Sequence, residues 1–317
     1  MTLTILSVKP YRCGDIRYPS NVKKGVQLKY WIVELRVHHW VKNILVIVPL
    51  AAAHQLGDLA LLARVAMAFA AFSLCASGLY VLNDLFDLEA DRAHLSKRRR
   101  PLASGEMTRT TAFALIAVMW LGAALIAAQL GLAFSGVLAA YVLLMIAYSM
   151  WLKHVVLLDA LLLAAGYSAR VAAGAVAVTI LPSTWLIAFC LFLFYSLALI
   201  KRYAELTHNR DRQGPSAHAR GYEAIDLPVV AMSGIASGYL AVLVLAMYLT
   251  SGGTHGGLYG HPSFIALTAV LLLYWISYLW LVANRGHMPE DPVLFALRDS
   301  RSRVLVLLMG ICAWLAV

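Results

Sequence analysis

Residues Asn83–Met107 read NDLFDLEADRAHLSKRRRPLASGEM, and they follow LALLARVAMAFAAFSLCASGLYVL at 59–82. A helix crossing a bilayer needs roughly 20 mainly apolar residues, so the preceding run is long enough to span. It ends in Asp84, Asp87 and Asp91. Spacings of three and then four residues keep these carboxylates within about 60° of arc on one helix face. Three like charges in register repel unless a cation lies among them. A helix leaving the membrane explains one acid beside Asn83, not three. Hard divalent cations such as Mg2+ take carboxylate oxygens and share them with substrate phosphates. Arg92, Lys97, Arg98, Arg99 and Arg100 follow at once, and guanidinium and ammonium groups suit the oxygens of a diphosphate. Membrane topology alone also favours a basic loop here, so the adjacency of acids and bases carries the functional reading.

The rest of the chain fits a membrane setting. Of its 317 residues 62% are hydrophobic and only 13% charged, which is beyond what a soluble domain of this length needs. The predicted architecture is an all-α polytopic membrane protein. Nine spans are expected, near 41–56, 60–82, 110–130, 132–151, 155–178, 183–200, 227–250, 263–283 and 303–317. Alternating segments suited to a closed barrel do not occur. With the N-terminus in the cytoplasm, 24 of the 26 Lys and Arg residues fall on inside segments. The other two, Arg64 and Arg170, lie within predicted helices, so charge supports this orientation in the cell (inner) membrane. The net charge of +10 is thereby topological, drawn to anionic lipid, or available to an anionic substrate, and nucleic acid is not an expected partner. Residues 1–40 read as a cytoplasmic lead-in, too polar and basic for a signal peptide, and 41–317 as the membrane domain. Cys13, Cys75, Cys190 and Cys312 are too scattered for a disulfide framework or a metal site. No pair of histidines has clear metal spacing.

The sixth span runs in the same direction as the second and also ends in charge, KRYAELTHNRDR from Lys201. The two ends are expected to face each other across one site. Lys201, Arg202, Tyr203 and Glu205 are therefore candidates. Lys42 and Asn43, where the first span enters the membrane, are within reach of a phosphate, although a lone Lys there also suits snorkelling. Tyr148 and Lys153 lie at the inner end of the fourth span. Asp159 and Arg170 share a face of the fifth but sit roughly 16 Å apart along it, too far to pair. An intramembrane Arg usually faces a cavity or a partner, which places Arg170 on the cavity wall, in an ion pair or near a lipid phosphate. Arg220 and Tyr222 close the sixth-span loop and are expected to cap the pocket.

NDLFDLEAD followed by KRRRPLASG resembles the first aspartate-rich motif of the UbiA superfamily of intramembrane prenyltransferases. The resemblance extends from Arg36 onward. It implies nine helices around a central cavity and an active site at the cytoplasmic boundary. It also implies Mg2+ on Asp84, Asp87 and Asp91. Superfamily members acting on aromatic acceptors carry a second aspartate-rich motif where this chain has KRYAEL, with one carboxylate and two cations. With HWVKN at 39–43 and EDPVLFALRD at 290–299, that departure resembles the decaprenyl-phosphate phosphoribosyltransferase branch. The branch implies transfer of phosphoribose from 5-phosphoribosyl diphosphate to polyprenyl phosphate, for cell envelope biosynthesis. Asp84, Asp87, Lys201 and Arg202 are then the expected catalytic residues. Substrate binding is expected at Lys42, Asn43, Asn83, Arg92, Lys97, Arg98, Arg100, Lys153, Arg170, Tyr203, Glu205, Arg220 and Tyr222. Extra cations in place of a second metal site suit a donor with a remote 5-phosphate. One alternative is transfer of a prenyl group to an aromatic ring such as 4-hydroxybenzoate, which the missing second motif disfavours. A transporter would place its polar site near the midplane rather than at one edge. Monomer and homo-oligomer both stay open.

Overall fold

The computed structural model describes residues 34–93, 97–181, 183–211, 221–250, 261–289 and 291–316. Most of the expected lead-in, together with Arg220, lies outside the described residues. Among the described residues the regular structure is entirely helical: α1 (Val37–Ala52), α2 (Leu59–Phe86), α3 (Leu88–Ala93), α4 (Arg109–Leu130), α5 (Leu132–Met150) and α6 (Leu158–Ala177). Then come α7 (Thr184–Asp211), α8 (Leu227–Thr250), α9 (Pro262–Asn284), α10 (Pro292–Arg298) and α11 (Ser300–Leu315).

Seven of these, α2, α4, α5, α6, α7, α8 and α9, are long and apolar enough to cross a membrane. The expected first and ninth spans are shorter helices, α1 and α11. In α1 the stretch Val37–Ile47 coils in the 3-10 form. Its greater rise per residue stretches α1 to about 30 Å, close to the hydrocarbon thickness, despite its few residues. Large side chains such as Leu121, Leu125, Leu132 and Leu143 are exposed on α4 and α5, where lipid rather than water is the partner.

The bundle packs in chain order, with α2 against α4, α5 against α6, α6 against α7 and α7 against α8. Small residues allow close approaches. A Cβ on Gly174 of α6 would lie 2.0 Å from the Val46 carbonyl oxygen, so only glycine lets α1 lie flat on α6. The two intramembrane arginines both find oxygen. Arg64 Nε donates to the Ala177 carbonyl at 2.6 Å, satisfying one of the orphan acceptors at the end of α6.

Candidate active site

The site is built where α2 breaks. Its N-terminus is capped by Asp58, which accepts from the Ala60 and Leu61 amides. At the far end the helix stops at Phe86 with Asp87 at φ −91 ψ 9, and it resumes as α3. The Asp87 amide still donates to the Asn83 carbonyl and the Asp91 amide to Asp87. Seven residues return a helix to within about 20°, so Asp91 stays on the face of Asp84. Arg100 Nη1 stands 2.9 Å from Asp84 Oδ1 and 2.5 Å from Asp91 Oδ2, so one cationic nitrogen is shared by both carboxylates. Arg36 grips the same Asp84 from the other side, its Nη2 2.6 and 2.9 Å from the two oxygens. Asp84 and Asp91 are both buried.

Local sequence explains why Arg100 is held there. In RPLASGEM the Ser104 amide donates to the Arg100 carbonyl, the Met107 amide donates to Pro101, and Gly105 turns at φ 83. Leu102 and Met107 then plug into a small apolar cluster with Val81, Leu88, Ala112 and Leu115. The loop is thus nailed between α2 and α4, and Arg100 is the one member of the basic run aimed inward. Arg98, Arg99 and Lys97 are exposed, and Arg92 pairs with Glu89 at 3.3 Å on the outer face.

Asp87 belongs to a second subsite. It accepts from Lys153 Nζ at 2.6 Å and from Asn83 Nδ2 at 3.0 Å. Of the three aspartates expected to hold one cation, Asp84 and Asp91 share Arg100 in this structure, while Asp87 faces Lys153. Among the described residues no three acidic, His or Cys side chains form a ready metal cage.

Several sequence candidates are placed elsewhere. Arg202 is buried and its charge is spent: Nε donates to Asp159 Oδ2 at 2.5 Å and Nη1 to Glu205. It pins α7 to α6 rather than facing a substrate, because a guanidinium in that apolar packing is stable only when neutralised. Lys201 lies on the more exposed side of α7, 4.0 Å from Glu205. Tyr203 points to the opposite flank, donating to Asn284 at 2.9 Å beside a 260 Å3 cleft among α7, α8 and α9. Lys42 is paired with Asp291. Burial alone would raise the Asp291 carboxyl, but Lys42 outweighs it and holds the group below the usual carboxylate range. Asp291 also caps α10 through the Val293 and Leu294 amides. Asn43 bridges Ser73 and Arg170, and Arg170 also donates to the Gly166 carbonyl and the Tyr141 hydroxyl. Of the two settings expected for Arg170, an ion pair or a lipid phosphate, the described residues show no ion pair: its partners are neutral oxygens and the faces of Tyr141 and Tyr167. Tyr222, expected to cap the pocket, is buried, with its hydroxyl between the Leu157 amide and Asp159.

Two residues escaped the sequence reading. Arg36 stands at a left-handed φ of 48 and lies over the Tyr80 ring at 5.0 Å. Glu34 is buried near Asp84, and among the described residues one of its oxygens has no hydrogen-bond partner. Burial, reinforced by the Asp84 charge, pushes its carboxyl up to about 7. Neither residue lies on a periodic pattern; Arg36 reaches Asp84 from the turn that leads into α1.

Comparison with known proteins gives the wider context. The model of the UbiA prenyltransferase family matches residues 44–314. The chain is 37% identical over 273 residues to the nodulation protein NoeC of Azorhizobium caulinodans, covering 86% of this chain and 88% of that one. It is 32% identical over 306 residues to a decaprenyl-phosphate phosphoribosyltransferase of Mycobacterium tuberculosis, covering 94% of each. An uncharacterized Sinorhizobium fredii protein, y4nM, is 34% identical over 280 residues, 88% of this chain; the chain spans about half (54%) of that relative's length. Among solved structures, a UbiA homolog from Archaeoglobus fulgidus bound to GPP and Mg2+ superimposes with a TM-score of 0.66 at 15% identity, over 91% of this chain and 100% of that one. The helical order, the aspartates at the break in α2 and these matches have one reading: the chain belongs to the UbiA prenyltransferase family and is an integral membrane transferase.

Proposed function

We propose that this enzyme transfers the 5-phosphoribosyl group of 5-phosphoribosyl diphosphate to a polyprenyl phosphate, releasing diphosphate. The observation that carries the reading is the charge layout at the end of α7. Where a second metal site would need carboxylates, the KRYAEL stretch offers only Glu205, already bound to Arg202, while Lys201 stands on the more exposed side. The end-to-end likeness to a relative named decaprenyl-phosphate phosphoribosyltransferase supports it.

The donor set fits Mg2+. Asp84 and Asp91 already share one cation position, and two carboxylates completed by substrate oxygens are the usual magnesium arrangement. Asp84 and Asp91 would hold the ion, with Asp87 beside it. Bound there, Mg2+ would draw charge from the departing diphosphate. Lys153 and Arg36 flank the carboxylates and supply positive charge to the phosphate oxygens. The ribose C1–O bond to diphosphate breaks with its electron pair leaving on the diphosphate. A lipid phosphate oxygen forms the new bond to C1 from the opposite face. The lipid phosphate is already an anion near neutral pH, so the site needs no general base. The polyprenyl tail runs in an apolar groove among the helices. The charged end faces the cytoplasm of a cell (inner) membrane, residues 1–40 lead in, and 41–317 form the catalytic domain.

The test is to incubate purified protein in detergent with Mg2+, polyprenyl phosphate and labelled 5-phosphoribosyl diphosphate. Metal-dependent label in the lipid fraction is expected. No label, with prenylation of 4-hydroxybenzoate in a parallel tube, would overturn the donor assignment.

A further inference from the structure

The connection between α5 and α6 carries Lys153, and it ends in a strained turn. Leu157 has φ 64 ψ −37, and the Leu158 amide donates to the Val156 carbonyl at 2.8 Å. This is a positive-φ γ-turn centred on leucine, a conformation that persists only where the surroundings impose it.

What imposes it comes from a segment far along the chain. The Tyr222 hydroxyl accepts from the Leu157 amide at 2.8 Å and donates its own proton to Asp159 Oδ1 at 2.6 Å. The other Asp159 oxygen is held by Arg202 at 2.5 Å, so the carboxylate cannot swing away from the phenol. Beside it Gly221 turns at φ 76 against the connection itself; a Cβ there would lie 2.9 Å from the His154 carbonyl oxygen. Four residues before the γ-turn, Lys153 reaches Asp87 at 2.6 Å. A lysine side chain is long and flexible, so the place of its ammonium depends on how firmly its backbone is anchored.

We propose that Tyr222 is a positioning residue: its hydroxyl, oriented by Asp159, holds the 153–157 connection in the strained form that keeps Lys153 on Asp87. The proposal rests on reading the aspartate end of α2 as the active site. It does not depend on which group that site transfers.

The test uses the full-length protein in detergent and the variants Tyr222→Phe, Leu157→Gly with Tyr222→Phe, and Gly221→Ala. Phenylalanine keeps the ring in its apolar packing and removes only the hydroxyl. The readout is the rate at which an amine-reactive acylating reagent labels Lys153, measured by peptide mass spectrometry with exposed Lys97 as internal reference. Amide hydrogen exchange over 153–158 is followed in parallel. Tyr222→Phe is expected to raise Lys153 labelling at least fivefold relative to Lys97 and to speed exchange across the connection. Adding Leu157→Gly should return labelling to within twofold of wild type, since glycine adopts positive φ without strain. Gly221→Ala, which pushes the clamp away while leaving the phenol intact, should also raise labelling, and it carries the test if Tyr222→Phe does not fold. Unchanged Lys153 labelling in the folded single variants, or no rescue by glycine, would overturn the proposal. Labelling that responds in a protein without phosphoribosyl transfer would sink the donor assignment and leave the positioning role standing.

Discussion

Arg100 and Asp91 meet at 2.5 Å although the basic loop could have projected anywhere into solvent. The same guanidinium nitrogen lies 2.9 Å from Asp84, between the two carboxylates proposed above to hold Mg2+. If Mg2+ binds there as proposed, guanidinium and metal compete for one seat.

Arg100→Ala should therefore tighten binding of Mn2+ alone by about five- to tenfold, because a competing charge-assisted contact is lost. Titration of the detergent-solubilised protein, followed by electron paramagnetic resonance of free Mn2+, measures this. Arg98→Ala, on the exposed face, should change it less than twofold; equal effects would mean general electrostatics rather than competition for a seat.

Asp87→Asn should cut turnover at least 100-fold and leave the melting temperature close to wild type. Asp87 is partly exposed and holds only Lys153 and Asn83, so its charge is not what the fold depends on. Asp84→Asn is the contrasting case. Buried between Arg36 and Arg100, it would leave two guanidiniums under-neutralised, at about 3–5 kcal/mol of stability. Melting curves and single-turnover assays on both variants separate the roles, and wild-type activity in Asp87→Asn would remove that residue from the site.

Arg202→Met and Lys201→Ala, adjacent in sequence, should behave differently. The first strands the buried Asp159 and should lower thermal stability sharply, whatever the substrate. The second should leave stability nearly unchanged and raise the donor KM several-fold. Comparable stability losses in both would contradict the placement of Arg202 as a pin between α6 and α7.

Glu34 makes stability depend on pH. Its carboxyl is raised by burial from an ordinary 4.5 to about 7. A group with a raised folded pKa stabilises fully below its unfolded value, and that stability is lost as pH rises through the folded value. Wild type should therefore lose up to about 3 kcal/mol between pH 4.5 and 7 from this group alone. Glu34→Gln should flatten the curve over that window. Parallel melting-temperature profiles for the two proteins would refute the assignment.

The membrane class, the long spans and the aspartate end of α2 were legible in the residues alone. Hydrophobic runs, Lys/Arg asymmetry and helical spacing are local or additive signals, readable without knowing what touches what. Those signals also place Asp84, Asp87 and Asp91 within about 60° on one face. The partners brought in by other segments divide them, Arg100 joining Asp84 to Asp91 and Lys153 taking Asp87. Which cation is aimed inward could not be read from KRRR, since four adjacent basic residues look alike until Leu102 and Met107 anchor the loop. Arg202 looked as available as Lys201 until α6 brought Asp159 against it. Arg36, Glu34 and the Tyr222 clamp depend on contacts between segments distant in sequence. Sequence patterning thus determined where charge enters the membrane. Tertiary packing alone decided which of those charges are spent on one another and which still face the site, because the cost of burying a charge depends on its partner and not on its place in the chain.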